Sequence, residues 1–456
     1  MNNSDYKTEG LVLEDSNYIT PDKVHETIAR NMLADGFEFV LDLNKSQGMH
    51  LIDQRNGDVY LDFFTFFASS PLGLNHPKLH SKDVIEELAF ASVNKPSNSD
   101  IYTILMAEFV DTFSKIAMPE YMKHLFFIAG GALAVENGLK TAFDWKVQKN
   151  FIKGYKEERG HQVIHFRQAF HGRSGYTLSL TNTEPNKIKY FPKFNWPRII
   201  NPKIKFPLSD HLQEVIKLED QAVNEIYAAI KNNPDDIAAI IIEPVQGEGG
   251  DNFFRKEFFG KLREIADENE ILLMFDEVQT GFGLTGKFWA SEHYVTPDII
   301  AFGKKAQVCG IMVNDRIDDI QENVFHKSSR INSTWGANLT DMVRSKHIMR
   351  IVKEENLVNN AATVGGFLLQ SLIEIQDEYP SLVSNTRGLG LMCSFDMPNA
   401  EIRNKFREEC YRHKLLILGC GEKSIRFRPP LNVKKEDLEE GLKIIKKVLF
   451  LITSNN

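Results

Sequence analysis

The chain has 456 residues, of which 42% are hydrophobic and 25% are charged. This balance is typical of a globular protein, and the length is about three times the ~150 residues of one domain, which excludes a minimal binding module. Acidic residues outnumber basic ones by 62 to 54, a net charge of −8, which argues against nucleic acid as a partner covering a whole face.

The cysteines indicate where the protein works. All four lie after residue 300, without Cys-x-x-Cys spacing, which favours a reducing compartment over a disulfide framework. The first residues lack a basic start followed by an apolar stretch, and the apolar runs 237–242, 271–275 and 448–452 are too short to span a bilayer. We therefore predict a cytoplasmic protein with no membrane partner.

The first predicted elements in chain order are two hairpin strands, 51–53 and 59–62, around the turn Asn56-Gly57. Farther along, Gly130 and Gly131 precede a helix with an apolar face from Val135 to Phe143. Glycines at a helix start leave backbone N–H groups free to bind one phosphate. Taken alone, the segment fits close packing of the helix start equally well.

The middle of the chain repeats a unit of helix, turn and buried strand. A helical stripe ends at Asn232-Asn233-Pro234 and leads into strand 237–242; a helix over 254–268 leads into strand 271–275, and a third strand follows at 299–302. Short, uniformly apolar strands that alternate with helices are typical of a mostly parallel sheet covered by helices on both faces. The sequence therefore predicts an α/β fold.

The C-terminal part has a different pattern. A strand over 425–430 ends in two prolines, and a helix carries the apolar stripe Leu438, Leu442, Ile445 and Leu449. This pattern indicates a smaller α+β domain. We predict an N-terminal segment, residues 1–90, that contributes to the small domain, a large α/β domain over 91–340, and a C-terminal small domain over 341–456.

The ends of the three middle strands are the first candidates for chemistry. They are followed by Glu243-Pro244, Asp276-Glu277 and Gly303-Lys304. Ligands of open α/β sheets bind at the carboxyl ends of the strands. For any one of the three taken alone, an ordinary solvated strand end is the commoner explanation.

Two other patterns in the sequence are misleading. Residues 281–286 match the G-x-G-x-x-G pattern of a nicotinamide-dependent oxidoreductase, but five residues separate them from the strand, and the next strand ends in Gly-Lys-Lys where a ribose-binding acid is expected. His161, His165 and His171 have no acidic or cysteine partners at ligand spacing, so we predict no metal site.

A lysine, an aspartate and a phosphate-binding segment together fit pyridoxal 5'-phosphate. This cofactor needs a lysine for covalent attachment, an acid that keeps its pyridine nitrogen protonated, and amides for its phosphate. Asp276 and Lys304 end strands about one strand-helix-strand unit apart. Lys305 is the rival lysine, but only one of the two adjacent side chains can face the ring if the strand continues.

With these residues in place, the chain resembles the class III aminotransferases of fold type I. Within that class it is similar to the subgroup that acts on the terminal amine of lysine. The resemblance runs from about residue 25 to the C-terminus. The matching segments are AFHGRSGYTLSLTN at 169–182, IEPVQGEGG at 242–250, FGKKAQVCG at 302–310 and NSTW at 332–335. The Glu-Pro segment and DEVQTG at 276–281 mark the class broadly, and GKKAQVCG at 303–310 marks the subgroup.

The resemblance implies roles for four residues around the cofactor ring. Lys304 would hold the cofactor and then act as general base and acid at the substrate carbon. Asp276 would pair with the pyridine nitrogen, Gln279 would reach the ring oxygen, and Phe170 would stack on the ring.

The resemblance also implies how the phosphate is bound. Gly131 and Ala132 would supply backbone amides, and Thr334 would bind the phosphate of the neighbouring subunit's cofactor, which requires a homodimer with shared active sites. The chain departs from the subgroup's pattern at Ala129, where an acid is expected, and at Ala337, where a glycine is expected. Ala129 borders the phosphate segment, so cofactor affinity is the property that this departure puts in question.

The implied reaction moves the ε-amino group of L-lysine to 2-oxoglutarate and gives L-glutamate and 2-aminoadipate 6-semialdehyde. Arg173 would anchor a carboxylate, while Glu248 and Arg426 would form a pair that opens or closes with the substrate. The alternatives are an aminotransferase for ornithine or 4-aminobutyrate, a nicotinamide-dependent oxidoreductase, and an inactive binding scaffold with the same fold.

Overall fold

The computed structural model describes residues 19–454, so the N-terminal residues considered above for a targeting signal lie outside the described residues. The helices are α1 Val24–Ala29, α2 Thr65–Ala68, α3 Lys82–Val93, α4 Ile104–Ile116, α5 Gly131–Ile152, α6 Gly175–Leu180, α7 Leu208–Asn232, α8 Lys256–Glu268, α9 Leu339–Glu354, α10 Leu357–Glu378, α11 Ala400–Arg412 and α12 Lys435–Ser454.

The strands, in chain order, are β1 His50–Ile52, β2 Val59–Asp62, β3 Met122–Ile128, β4 Gln162–Phe166, β5 Arg198–Ile199, β6 Ile237–Ile242, β7 Leu272–Asp276, β8 Ile299–Phe302, β9 Cys309–Asn314, β10 Ser384–Leu389, β11 Met392–Asp396, β12 Leu415–Leu416, β13 Leu418–Cys420 and β14 Ser424–Phe427.

A seven-stranded sheet in the order β3-β9-β8-β7-β6-β4-β5 forms the centre of the protein. Strand β9 runs antiparallel to both of its neighbours, and the other strands run parallel to one another. Every residue of β6, β7 and β8 is buried, because helices cover both faces of the sheet. The prediction of a mostly parallel sheet is confirmed.

The helices cover the two faces through the predicted apolar stripes. On one face, Val135, Leu139 and Ala142 of α5 are fully buried against the sheet; on the other, Ile226 of α7 and Leu262 of α8 are fully buried. Burying a side chain of this size is worth roughly 1.5–3 kcal/mol. These stripes hold the start of α5 and the ends of the strands in fixed relative positions.

The observed boundaries of β7 differ from the predicted ones by one residue at each end. Ile271 was expected to begin β7, but its backbone N–H donates to the Ala266 carbonyl, so it belongs to the turn that closes α8. At the other end, Asp276 pairs with Ala301 as the last residue of β7. The carboxylate is therefore held by the sheet and not by a mobile loop.

The small domain joins both ends of the described chain. The predicted hairpin is confirmed, since β1 and β2 pair antiparallel, and β2 also pairs with β12 in parallel. A four-stranded antiparallel sheet, β10-β11-β14-β13, lies beside it. The predicted boundary after residue 340 falls in the first turn of α9. The domain boundaries at 90 and 340 stay a prediction.

The G-x-G-x-x-G segment is part of a turn and does not begin a helix. Gly286 has φ +80°, and a Cβ placed there would lie 2.8 Å from the Cβ of Ala362 in α10. The glycine therefore allows the turn to pack against α10. A dinucleotide site requires a strand-to-helix turn at this place, so the structure contradicts that interpretation.

All four cysteines are free thiols: Cys309, Cys393, Cys410 and Cys420. Among residues 19–454, no helix is long and apolar enough to cross a membrane.

We predict that Gly286→Ala lowers the free energy of unfolding by about 1–3 kcal/mol, because the new methyl group meets Ala362 at a left-handed backbone position. Urea unfolding measures this change. Gly260→Ala is the matched control: a Cβ placed at this position in α8 meets no heavy atom within 4 Å, and the substitution should raise stability by roughly 0.5–1 kcal/mol. Equal stability of the Gly286 variant and the native protein would contradict the packing role.

Candidate active site

A cavity of about 340 Å³ lies where the carboxyl ends of β6, β7 and β8 meet the start of α5. A larger and more open cleft, about 660 Å³, lies between residues 36–38 and α11 and contains none of the predicted residues. The smaller cavity brings together seven of the ten predicted site residues: Gly131, Ala132, Phe170, Arg173, Asp276, Gln279 and Lys304.

Lys304 is the lysine that faces the cavity. The strand ends at Phe302, and Lys304 begins a short 3-10 turn with φ +48°. Burial, together with the nearby Arg426 guanidinium, lowers the pKa of Lys304 to about 8. Lys305 points elsewhere, because its Nζ donates to the Gln279 carbonyl at 3.0 Å. The two lysines are therefore separated by a turn, and not by strand alternation.

Asp276 is held by a histidine. Its Oδ2 lies 2.8 Å from Nδ1 of His171, and its Oδ1 accepts a hydrogen bond from the backbone N–H of Val278. Both side chains are buried. Sequence reasoning considered His171 only as a metal ligand and missed this contact, because 105 residues separate the two partners and no local pattern links them.

Gln279 is oriented by a buried arginine. Nη2 and Nε of Arg428 donate to its Oε1 at 3.1 and 3.3 Å, and Arg428 is itself paired with Asp251. With Oε1 occupied by these donors, the amide NH₂ group is the one left to donate to a ligand. A Cβ on Gly247 would lie 2.3 Å from Oε1, so a larger residue here would displace the Gln279 amide. Sequence reasoning missed Arg428 and Gly247.

The start of α5 fits a phosphate. Its N-cap residue, Gly130, has φ +110° and provides no side-chain cap, so the first-turn N–H groups of Gly131 and Ala132 have no intrahelical acceptor. A helix start of this kind attracts an anion. A Cβ on Gly172 would lie 2.5 Å from the Cβ of Ala132, so glycine allows the neighbouring loop to approach.

Glu243 links the two loops beside the cavity. Its Oε1 accepts from the Phe170 backbone N–H at 2.9 Å, and its Oε2 accepts from that of Gly247 at 3.2 Å. Burial and the neighbouring Asp276 raise the pKa of Glu243 well above its usual range. The strand-end glutamate therefore positions the loop that carries the Phe170 ring.

Glu248 and Arg426 form an ion pair that does not line the cavity but is close enough to Lys304 to influence its pKa. Oε2 of Glu248 lies 3.1 Å from Nη1 of Arg426, which is buried on β14, and Oε1 lies 2.7 Å from Nζ of Lys187. The Arg426 guanidinium also stands 5.7 Å from the centroid of the Phe67 ring. Sequence reasoning missed Lys187 and Phe67.

Arg173 and Thr334 are both exposed in the single chain. Arg173 lines the cavity, and no carboxylate forms a salt bridge with it among residues 19–454. Thr334 does not line this cavity. The neighbouring Trp335 is held against the segment before α4, since its carbonyl accepts from Asn98 and its ring lies 3.5 Å from Lys95 Nζ.

A family profile described as aminotransferase class-III matches residues 33–449. The chain belongs to the class III aminotransferases. It is 48% identical to an L-lysine-epsilon aminotransferase from Mycobacterium tuberculosis, over 95% of this chain and 97% of that one. It is 33% identical to the mitochondrial 4-aminobutyrate aminotransferase of Mus musculus, over 91% of this chain and 86% of that one.

A solved structure of lysine aminotransferase from M. tuberculosis superposes with a TM-score of 0.93 at 47% identity and covers 95% of this chain and 100% of that chain. This class III aminotransferase is therefore a pyridoxal-phosphate-dependent enzyme of fold type I, as predicted. The cavity fits the cofactor, because it combines a cavity-facing lysine, a buried carboxylate and an uncapped helix start.

We predict that borohydride reduction of the cofactor-loaded enzyme fixes the cofactor on Lys304. Peptide mapping by mass spectrometry should find it there in the native protein and in a Lys305→Met control, and on no lysine in Lys304→Ala. Recovery of the cofactor on Lys305 in the native protein would overturn the assignment.

We also predict how covalent capture of the cofactor by the apoenzyme depends on pH. Only the neutral amine attacks an aldehyde, and the neutral fraction of Lys304 rises as pH passes its lowered pKa. The rate constant should therefore increase with pH to a midpoint near 8. Stopped-flow absorbance measures it; a rate that does not change between pH 6 and 9 would contradict the lowered pKa.

Proposed function

We propose that this aminotransferase moves the ε-amino group of L-lysine to 2-oxoglutarate and forms L-glutamate and 2-aminoadipate 6-semialdehyde. The observation that carries the proposal is a pair of arginines: Arg173 lines the cavity and has no carboxylate partner among the described residues, and Arg426, which lies near Lys304, is paired with Glu248. The higher identity to the lysine enzyme than to the 4-aminobutyrate enzyme, 48% against 33%, supports the same choice.

The proposed roles follow from the contacts of each side chain. The bound cofactor supplies an aldehyde for the amine and a ring that withdraws electrons. Asp276, oriented by His171, holds a proton on the ring nitrogen, and the Gln279 amide donates to the ring oxygen. Lys304 Nζ would be the group that removes the proton from the substrate carbon that carries the amine and holds that proton for its return.

The pocket must accept two substrates of different charge. Lysine reacting through its ε-amine brings only methylene groups next to the reacting carbon, whereas glutamate brings a carboxylate there. An unpaired arginine beside the reacting carbon can pair with the carboxylate of glutamate. Against the methylene groups of lysine the same arginine is an unpaired charge, which is unfavourable. We propose that Glu248 neutralises Arg426 when lysine binds and moves away when a dicarboxylate binds, while Arg173 holds the far carboxylate of both substrates.

Burial separates this pair from an ordinary surface salt bridge. Exposed ion pairs are worth little, about 0–1 kcal/mol. The side chain of Arg426 is only 3% exposed, so removing its partner leaves a charge in a poorly solvated place. This supports a role for Glu248 in charge balance within the pocket.

We further propose a homodimer with shared active sites. Five apolar side chains between residues 90 and 104 are 69–79% exposed in the single chain: Phe90, Val93, Ile101, Tyr102 and Ile104. A surface with this many exposed apolar side chains is typical of a protein interface. The segment that carries Thr334 packs against residues 95–99, so both lie on the same surface. This supports a contact of Thr334 with the partner's phosphate site.

We also propose a cytoplasmic location, which the free thiols support.

An amine-donor assay tests the proposed substrate. L-lysine, L-ornithine and 4-aminobutyrate are each incubated with 2-oxoglutarate, and glutamate is measured. We expect kcat/KM for lysine to exceed that of the other donors at least tenfold. Equal or better use of ornithine or 4-aminobutyrate would contradict the proposal and favour another ω-aminotransferase.

We predict opposite effects of removing the two members of the ion pair. Glu248→Ala should slow the lysine half-reaction about 10–100-fold and the glutamate half-reaction much less, because a charge-assisted hydrogen bond of roughly 1.5–3 kcal/mol is lost in the first only. Arg426→Ala should do the reverse. Stopped-flow measurement of each half-reaction decides it; equal losses in both reactions for both variants would reject the switch.

We predict that subunits complement each other. Lys304→Ala and a strongly impaired Thr334→Ala variant should each be inactive, and a mixture that has exchanged subunits should regain activity, because one of the two sites in a heterodimer is then intact. Native mass spectrometry confirms the exchange. No recovery after demonstrated exchange would count against shared sites.

A further inference from the structure

The carboxylate of Glu248 lies between two cations. Oε2 is 3.1 Å from Arg426 Nη1 and Oε1 is 2.7 Å from Lys187 Nζ. The exposed fractions of the Arg426, Glu248 and Lys187 side chains are 3%, 24% and 17%. Each carboxylate oxygen therefore has its own cationic partner, in a place that water reaches poorly.

Lys187 approaches from a separate part of the chain. It ends the 3-10 turn Pro185–Lys187, in the loop between α6 and β5. Its Nζ stands 5.4 Å from the centroid of the Phe170 ring, at the edge of the cavity, and is 3.2 Å from Glu184, whose side chain is 60% exposed. Solvent-exposed ion pairs such as the one with Glu184 contribute little stabilisation, so Glu248 is the principal partner of Lys187.

The two contacts determine which cation stays beside Glu248 when Arg426 binds a ligand. A carboxylate that leaves Arg426 in a half-buried place loses its partner, which is unfavourable unless another cation compensates. Lys187 already holds the other oxygen, so Glu248 can release Arg426 and keep one ion pair. Without Lys187, Arg426 is the only remaining cation within salt-bridge distance of Glu248 among the described residues, and the pair resists opening.

We propose that Lys187 is a positioning residue for substrate choice: by holding Glu248 through Oε1, it allows Arg426 to be released for the carboxylate of a dicarboxylate substrate. This inference rests on the proposed function, in which Glu248 and Arg426 separate. Lys187 acts through Glu248 and requires no contact with the substrate.

The charge state of Glu248 agrees with this role. Burial raises its pKa, but Arg426 and Lys187 outweigh that effect and bring the pKa below its usual range. The carboxylate is therefore ionised at neutral pH, and it is the ionised form that needs a cation after it leaves Arg426.

The test uses the cofactor-loaded enzyme and two unreactive ligands. Glutarate carries a second carboxylate for Arg426, and hexanoate has a methyl end there. Perturbation of the cofactor absorbance gives the dissociation constant of each. In Lys187→Met, glutarate should bind about tenfold more weakly and hexanoate within twofold of the native value, because only glutarate requires the pair to open. Lys187→Arg should restore glutarate binding to within about threefold.

Lys189→Met is the matched control. It removes the same charge two residues away, from an exposed lysine that contacts the Tyr190 ring. It should leave both dissociation constants within twofold of the native values. Unchanged glutarate binding in Lys187→Met, or equal weakening of both ligands, would overturn the proposal.

A double variant separates the positioning role from direct contact. In a Glu248→Ala background, Lys187→Met should change glutarate binding less than twofold, because the residue through which it acts is gone. A persisting tenfold loss would show that Lys187 contacts the ligand itself, which overturns the proposal.

The single variants separate failure of this inference from failure of the proposed function. If Glu248→Ala changes the ratio of the glutarate and hexanoate dissociation constants while Lys187→Met does not, the switch stands and only the role of Lys187 fails. No change of that ratio in Glu248→Ala overturns the switch and this inference together.

Discussion

The carboxyl ends of β6, β7 and β8 meet at one edge of the central sheet, and the chemistry of the protein depends on this arrangement. Each strand is buried along its whole length, so its last residue is held by the sheet and by the helices on both faces. Glu243, Asp276 and Lys304 lie at those ends or within two residues of them. These three residues are far apart in sequence, and parallel pairing of their strands, with the turn that follows β8, brings them to one cavity.

Paired polar and charged side chains then set the properties of that cavity. His171 holds Asp276, Arg428 holds Gln279, and Glu248 balances Arg426. In the first two pairs a buried partner keeps a functional side chain in one orientation, and in the third a half-buried carboxylate balances a buried charge. A charge in such a place is stable only with its partner, so exchange of partners, and not titration, is the simplest way for one pocket to accept both an amine chain and a dicarboxylate.

The sequence predicted what depends on local pattern and on position relative to the strands. Asp276 and Lys304 were found because each follows a uniformly apolar strand, and Gly131 because glycines precede an amphipathic helix. The partners of these residues were missed, since the pairs His171–Asp276, Arg428–Gln279 and Lys187–Glu248 join segments 105, 149 and 61 residues apart. Such contacts arise from the tertiary fold and leave no spacing to recognise.

The central claim is that this site removes the terminal amine of lysine. L-lysine labelled with ¹⁵N at the ε position, and separately at the α position, can be incubated with the enzyme and 2-oxoglutarate, and the glutamate examined by mass spectrometry. The account predicts ¹⁵N in glutamate from ε-labelled lysine and none from α-labelled lysine. Label from the α position, or no labelled glutamate from either substrate, would contradict it.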